Sequence, residues 1–403
     1  MVDLVTADYA LKQHYQNYTP NNVYYKNNPL YAITKKYTKF TGSVKPVPQI
    51  YSNPQGRSAT FSNALAQAGN TKGVKFMLTR VPDYGVVEIG NEAMLASMDD
   101  AGSFVELATQ EIDGGLVSVG RSIATAMYRD GTGTIGRISS GSTVASLNIT
   151  LATLSDADSF EVGMTIGASS GLGTGERTGS AQITAINRDT GTLTTAGSNW
   201  SAQITSLAVN DYLFVKGDFN KKLSGLDAWV PLTAPSATAF FGVDRTSDIT
   251  RLAGVRKSLI GLPIAEALTN LITATCKAGA TTDLATMNFE NYAALENQLG
   301  SKVQYSMPIK DSEGIIAFDG IKVMGLKGPV TVLPDVNCQS DRIYAIQKDT
   351  WQLSSLGEAP SLFDSDGQKM LRSGTADSLQ VRMNAYLNLE CTAVGWNGVG
   401  QIA

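Results

Sequence analysis

Histidine is almost missing: His14 is the single one in 403 residues. A histidine triad, a histidine-rich metal centre or a histidine acid–base pair would have to be built on that residue, which lowers the prospect of an enzyme. Cysteine is scarce as well. Cys276, Cys338 and Cys391 are odd in number and far apart, and they read as reduced cytosolic thiols, neither a disulfide framework nor a zinc site. No run of 18 apolar residues occurs, so no membrane span is expected. The opening MVDLVTADYALKQ lacks the basic start and apolar core of a secretory signal, so none is expected there. Charge is low at 17% of residues, and the net charge of -4 argues against global nucleic-acid binding. Such a surface is either neutral Ser, Thr, Asn and Gly or buried against other chains.

What is present begins with an apolar fraction of 43%, enough for real cores in a chain of two or three domains. The stretch from Asn91 to Arg129 carries small or apolar residues three or four apart: Met94, Met98, Ala101, Val105, Ala108, Ile112, Leu116, Val119, Ile123 and Met127. That spacing predicts one face of a long α-helix, roughly 55 Å if unbroken. Gly102, Gly114, Gly115 and Gly120 lie inside it, and each costs about 1 kcal/mol relative to Ala. They need a reason, such as close approach of another backbone or a bend. The alternatives are one helix of an ordinary domain, two helices broken at Gly114-Gly115, or a rod on which other parts rest.

Ahead of the rod, residues 1–43 scatter Tyr9, Tyr15, Tyr18, Tyr24, Tyr25, Tyr31, Tyr37 and Phe40 without a period. Such tyrosines cannot share one local core. They read as an extended arm draped over the rest of the chain or over a neighbour. Residues 44–90 alternate in the manner of strands: Val44 to Tyr51, then Val74, Phe76 and Leu78 opposite Lys75, Met77 and Thr79, then Val86 to Ile89 after a turn at Pro82-Asp83-Tyr84-Gly85. A short helix fits within Ser58 to Ala68. This long β-hairpin has too few apolar residues for its own core and must lean on something else.

Residues 137–219 turn rich in Ser, Thr and Gly. Short β runs recur at Val144 to Leu151, Phe160 to Ile166, Ala181 to Ile186, Gly191 to Thr195 and Tyr212 to Val215, with a hairpin loop at Asn187 to Gly191. The spacing predicts an inserted small β-barrel or sandwich. From Leu223 onward helices are expected at Pro263 to Cys276 and Asn288 to Leu299. Strands are expected at Ile315 to Phe318, Ile321 to Leu326, Val330 to Leu333, Ile343 to Gln347, Leu379 to Leu389 and Cys391 to Val394. Runs of strands beside a few helices make the class α+β.

Motifs of chemistry are weak. Gly131 to Gly136 matches GxGxxG but follows a helix instead of opening one, so it reads as a linker. Gly167 to Gly171 matches GxSxG, yet glycine-rich loop follows where a nucleophile elbow needs a helix. Asp364-Ser365-Asp366-Gly367 has only part of a calcium loop. Asp99 and Asp100 point to different faces of a helix. No catalytic, cofactor or metal residue is assigned, and no cofactor is expected.

At Leu226-Asp227-Ala228-Trp229-Val230-Pro231, Phe240-Phe241-Gly242-Val243-Asp244-Arg245 and Arg251-Leu252-Ala253-Gly254 the chain resembles tailed-bacteriophage major capsid proteins. Asn53 to Ala59 and Asp83-Tyr84-Gly85 fit the same setting, as does the order of parts. The resemblance implies an HK97-like fold. Residues 1–43 would be the N-terminal arm and 44–90 the extended β-hairpin loop. Residues 91–136 would supply the spine helix of the peripheral domain, 137–219 an inserted β-barrel domain, and 220–403 the axial domain with the remainder of the peripheral domain. It also implies a structural role without catalysis: self-assembly as hexamers and pentamers into an icosahedral head around double-stranded DNA. Portal and scaffolding proteins, a decoration protein and non-specific DNA contact would be the partners. The place would be the virion capsid, after assembly in the host cytoplasm. Some such proteins crosslink through lysine, and Lys72 and Lys75 lie near the hairpin. Two other readings stay open. One is an encapsulin-like compartment shell of the same fold; the other is a β-rich glycan-binding or attachment protein, motivated by 137–219.

Overall fold

Among the described residues, three β-sheets and a two-stranded ribbon organise a mixed α+β chain. The computed structural model describes residues 28–92, 107–299, 321–363, 370–374 and 376–403. Expectations on His14, the tyrosines before Asn28, Asp99, Asp100, the strand from Ile315 and the sequence Asp364 to Gly367 lie outside the described residues.

The described chain starts with a short helix, Pro29–Ile33, and the strand Lys35–Tyr37 (β1). Val44–Ser52 (β2) and Lys72–Thr79 (β3) pair antiparallel as the ribbon, with the helix Phe61–Ala66 in their connection. The sequence reading makes Val86 to Ile89 part of this hairpin, after a turn. The structure differs: Val81–Gly90 (β4) is one unbroken strand that leaves the ribbon at Arg80 and pairs with the distant strand Ser378–Cys391. Among the described residues that is the only strand partner of β4, and Pro82 is tolerated because a strand at a sheet edge need not donate on both sides.

Ser378–Cys391 is the axis of the first sheet. β4 runs along one side of it; Trp351–Ser355 and two shorter pieces take the other, and β1 adds in parallel to Trp351–Ser355. The helix Leu107–Ala126 packs on β4 and the axis strand. Its 20 residues span about 30 Å. It passes through Gly114, Gly115 and Gly120 without a break. Gly115 has a steric reason: a Cβ there would stand 2.5 Å from Met383 Cε and 2.7 Å from Val87 Cγ2. Gly85 on β4 answers it, where a Cβ would lie 2.6 Å from Val119 Cγ2. Two missing side chains let helix and strand close on one another. Val119, Ile123 and Met127 then bury against Val381, Met383 and Ala385 in the largest core.

A second, separate core belongs to the Ser/Thr/Gly-rich region, with Phe160, Trp200 and Leu213 fully buried. Its strands run in the order Thr134–Arg137, Tyr212–Val215, Thr165–Gly171, Ala181–Asn187, Thr192–Thr195, Asn148–Thr150. A bridge from Ile138 to Leu151 joins the last of these back to the first. The Asn187 turn sits where expected, its Oδ1 accepting from the amides of Asp189 and Thr190. The strand read at Phe160 to Ile166 instead runs Thr165–Gly171, because Leu154–Ser159 forms a 3-10 turn that drops Phe160 into the core.

The third sheet orders Val255–Ser258, Gly398–Gln401, Arg342–Ile346, Leu284–Met287, Gly328–Pro334 and Ile321–Gly325. Helices Ile264–Lys277 and Phe289–Leu299 contribute to its core. Both follow local signals: Pro263 precedes the first and Gly279, at φ +106°, follows it; Asn288 Oδ1 accepts from Glu290 N at the second. The expected strand at Cys391 to Val394 does not form. The axis strand ends at Cys391, and the chain turns through Val394–Trp396 into the third sheet. Buried Asn397 holds that crossing, donating to Thr350 Oγ1 and Ala393 O and accepting from Gln347 N and Trp351 Nε1.

Candidate assembly surface

The foot of the ribbon is built into the body. Alternation along β3 puts Phe76 and Leu78 inward at 0% exposure, while Met77 between them is 45% exposed. Phe76 meets the edge of Trp229 at 5.2 Å between ring centres, and Trp229 meets Phe240 at 5.1 Å. Trp229 Nε1 donates to Leu389 O at 3.0 Å, and Met77 N donates to Phe241 O at 2.8 Å. The Arg245 guanidinium lies 4.3 Å over the Phe240 ring and donates to Ala228 O and Trp229 O. Burial, helped by nearby Arg256, brings its pKa down to about 10, so it stays cationic at neutral pH. At Gly254, φ +77°, a Cβ would come 2.6 Å from Val230. The three segments that carried the resemblance therefore meet at the ribbon's foot.

Two polar anchors continue outward. Lys45 Nζ sits 2.6 Å from Glu390 Oε2 and donates to Ser354 Oγ; Gln49 Nε2 donates to Cys391 O at 2.8 Å. Beyond Gln49 the pairing slips between Ile50 and Ser52. A cleft of about 470 Å³ then opens between β2 and the Thr392 to Trp396 segment. The tip is uncovered: Ile50 is 72% exposed, Phe61 83% and Leu65 64%. Lys72 and Lys75 stand exposed on β3. A second apolar area lies on the first sheet, where exposed Tyr84 meets Tyr386 edge-on at 5.8 Å beside exposed Val86.

The described part of the arm packs on its own chain. Leu30 and Phe40 are buried, and Leu30 N donates to Asp335 Oδ2. Asp335 also accepts from Tyr128 OH at 2.9 Å and from Asn337 N. Burial pushes its carboxyl above the ordinary value, and these donors pull it part of the way back.

Ion pairs at the long helix, just past its end and at β4 tie the Ser/Thr/Gly-rich unit to the rest of the chain. Arg129 reaches Asp156 at 3.1 Å, Arg121 reaches Glu161 at 3.4 Å, and Lys222 reaches Asp83 at 2.9 Å and Asp218 at 3.2 Å. Burial raises the carboxyls of Asp156 and Asp218 above the ordinary value, with the facing cations opposing it. At Gly133 a Cβ would lie 2.5 Å from Asp218 O, so the chain enters and leaves this unit side by side.

The motifs of chemistry take geometries other than their templates require. Gly131 and Gly133, both at positive φ, lead into a strand and not a helix. Ser169 is fully buried inside its strand and donates to Gly171 O. No His/Cys/Asp/Glu cluster able to hold a metal occurs among the described residues, and no described helix is long and apolar enough to cross a membrane.

No protein-family model matches the chain, and no curated protein matches its sequence. Solved structures do. The cyanophage A-1(L) capsid asymmetric unit is similar over 95% of this chain and 94% of that one, with TM-score 0.51 and 12% identity. The capsid of a native GTA particle follows over 96% and 95% at TM-score 0.48 and 9% identity. The capsid of Myoviridae phage XM1 follows over 97% of each chain at TM-score 0.47 and 10% identity. The first likeness establishes a class: the chain has a phage-capsid fold over nearly its whole length.

Proposed function

We propose that this chain is the major capsid protein of a tailed phage, with an HK97-like arrangement. In that arrangement Leu107–Ala126 belongs to the spine helix of the peripheral domain, the third sheet forms the axial domain, and 137–219 is an inserted β-barrel. The chain assembles with copies of itself, as hexamers and pentamers, into an icosahedral head around double-stranded DNA. Portal, scaffolding and decoration proteins are its partners, assembly takes place in the host cytoplasm, and its role is structural without catalysis. The observation that carries this reading is the ribbon: anchored at its foot by Phe76 and Trp229, apolar and uncovered at Ile50, Phe61 and Leu65. Apolar groups presented in that way gain by burial on another subunit.

Size-exclusion chromatography and negative-stain microscopy of the expressed chain test the proposal, and closed shells are the expected result. A strictly monomeric species, even with scaffolding protein supplied, contradicts it. The inserted unit has a separate test. Replacing 140–216 by a short linker is expected to leave the flanking fold intact, because the two ends of the unit touch, and to alter particle stability or fidelity. Unchanged particles would remove its bracing role.

A further inference from the structure

The Ser/Thr/Gly-rich unit and the body keep separate cores. The unit's core draws on residues from Ile135 to Val215, and the largest core takes none from that stretch. Between the two lies a cavity of about 310 Å³. Val87 and Val119 line it from the body, and Ile135, Met164 and Val215 from the unit, each wall packed on its own core. Two bodies that lack one continuous apolar interface move against each other unless something else holds them. The chain crosses between them twice, at 130–134 and 216–222. Gly131, Gly133, Gly217 and Asn220 lie on these crossings with φ of +90°, +85°, +100° and +55°. Asn220 N donates to Thr132 O at 2.9 Å, which ties the crossings into one narrow joint. Gly133 and Asp218 border the cavity too, so the space lies against that joint.

We propose that the inserted unit is a hinged body. It turns about the joint at 130–134 and 216–222, and the Arg121–Glu161 and Arg129–Asp156 pairs latch it to the long helix and the turn just past it. The hinge rests on the crowding of left-handed backbone at the two crossings, where a few residues absorb a change of direction. The latch rests on what joins the facing walls. Arg121 donates to Asp158 O and pairs with Glu161; Arg129 donates to Ile135 O and pairs with Asp156. These contacts are polar, and one is incomplete: among the described residues the buried Arg129 Nε has no hydrogen-bond partner. The desolvation of buried charges offsets much of their attraction, so such a latch opens at less cost than an apolar seam. Release widens the cavity and leaves both cores whole.

The inference does not depend on shell formation, and its test reads the dilute, unassembled full-length chain. Nitroxide labels at Thr184→Cys on the unit and Arg382→Cys on the axis strand, both exposed positions, report the distance between the two bodies. Cys276→Ala removes the one native thiol that is not buried. Double electron–electron resonance on this parent is expected to show one dominant distance. With Glu161→Gln and Asp156→Asn added, a second, displaced population is expected, at least about tenfold larger than in the parent. Hydrogen exchange is expected to speed up around Leu154–Ser159 in the variant, while Ala181–Asn187 and Thr192–Thr195 keep their rates. An unchanged single distance overturns the proposal. Faster exchange throughout Ala181–Asn187 and Thr192–Thr195 overturns it too, since the unit would then unfold instead of turning. If the paired variant does not fold, Glu161→Gln alone, at a side chain 26% exposed, takes its place and the same outcomes decide.

Discussion

The two ends of one ribbon differ in who covers them. At the foot, Phe76 and Leu78 are fully buried by Trp229, Phe240 and their neighbours. Toward the tip, Ile50, Phe61 and Leu65 are no less apolar, yet the same chain leaves them in solvent. Composition therefore does not separate the two ends; the supply of partners does. The foot is folding surface. The tip is surface that its own chain leaves uncovered, and under the proposed function another subunit would bury it.

The strongest way to break this contrast is to remove the wedge at the foot. Trp229→Ala deletes the ring that touches Phe76, Phe240 and Phe241, and it should cost about 3–5 kcal/mol of subunit stability in denaturant unfolding. A loss below about 1 kcal/mol would mean that the ribbon stands without its anchor.

A smaller effect separates two adjacent glycines of the long helix. Gly115→Ala forces a methyl against Met383 and Val87 and should destabilise by about 1–3 kcal/mol. Gly114→Ala meets nothing within 4 Å and should stabilise by about 0.5–1 kcal/mol. Equal effects from the pair, read as thermal midpoints, would refute the close approach of helix and sheet.

Acid titration sharpens the covered side of the comparison. Burial raises the Asp335 carboxyl above 3.8, so the folded chain holds a proton that the unfolded chain has released. Its contribution to stability is therefore fullest below the ordinary value and is lost as pH rises through the raised one. Relative to Asp335→Asn, the parent chain should lose stability as pH climbs across that window. A gain would reverse the sign of the argument.

What the sequence made legible follows the range of each signal. The caps around Ile264–Lys277 and Phe289–Leu299, the Asn187 turn and the alternation of Phe76 and Leu78 depend on residues within a few positions, and all were readable. The continuity of β4 was not. Pro82 and Gly85 read locally as a turn, and only pairing with Ser378–Cys391, nearly 300 positions on, makes them strand. Asn397 is similar: one buried amide turns the chain from the first sheet to the third, and nothing around it in sequence announces that. At the assembly surface the tip residues were visible as apolar, but their exposure was not, because exposure is a statement about absent neighbours. Three of the segments that carried the capsid resemblance converge at the foot, while Asn53 to Ala59 lies beyond the end of β2 toward the tip.

The most direct test replaces Phe61 and Leu65 together by Ser. Subunit unfolding in denaturant should shift by no more than about 0.5 kcal/mol, since neither side chain is covered by its own chain. In the same preparation, negative-stain microscopy should show shells lost or severely reduced. Shells formed as well as by the parent chain, or a subunit that unfolds markedly more easily, would contradict the claim that this tip is reserved for another copy.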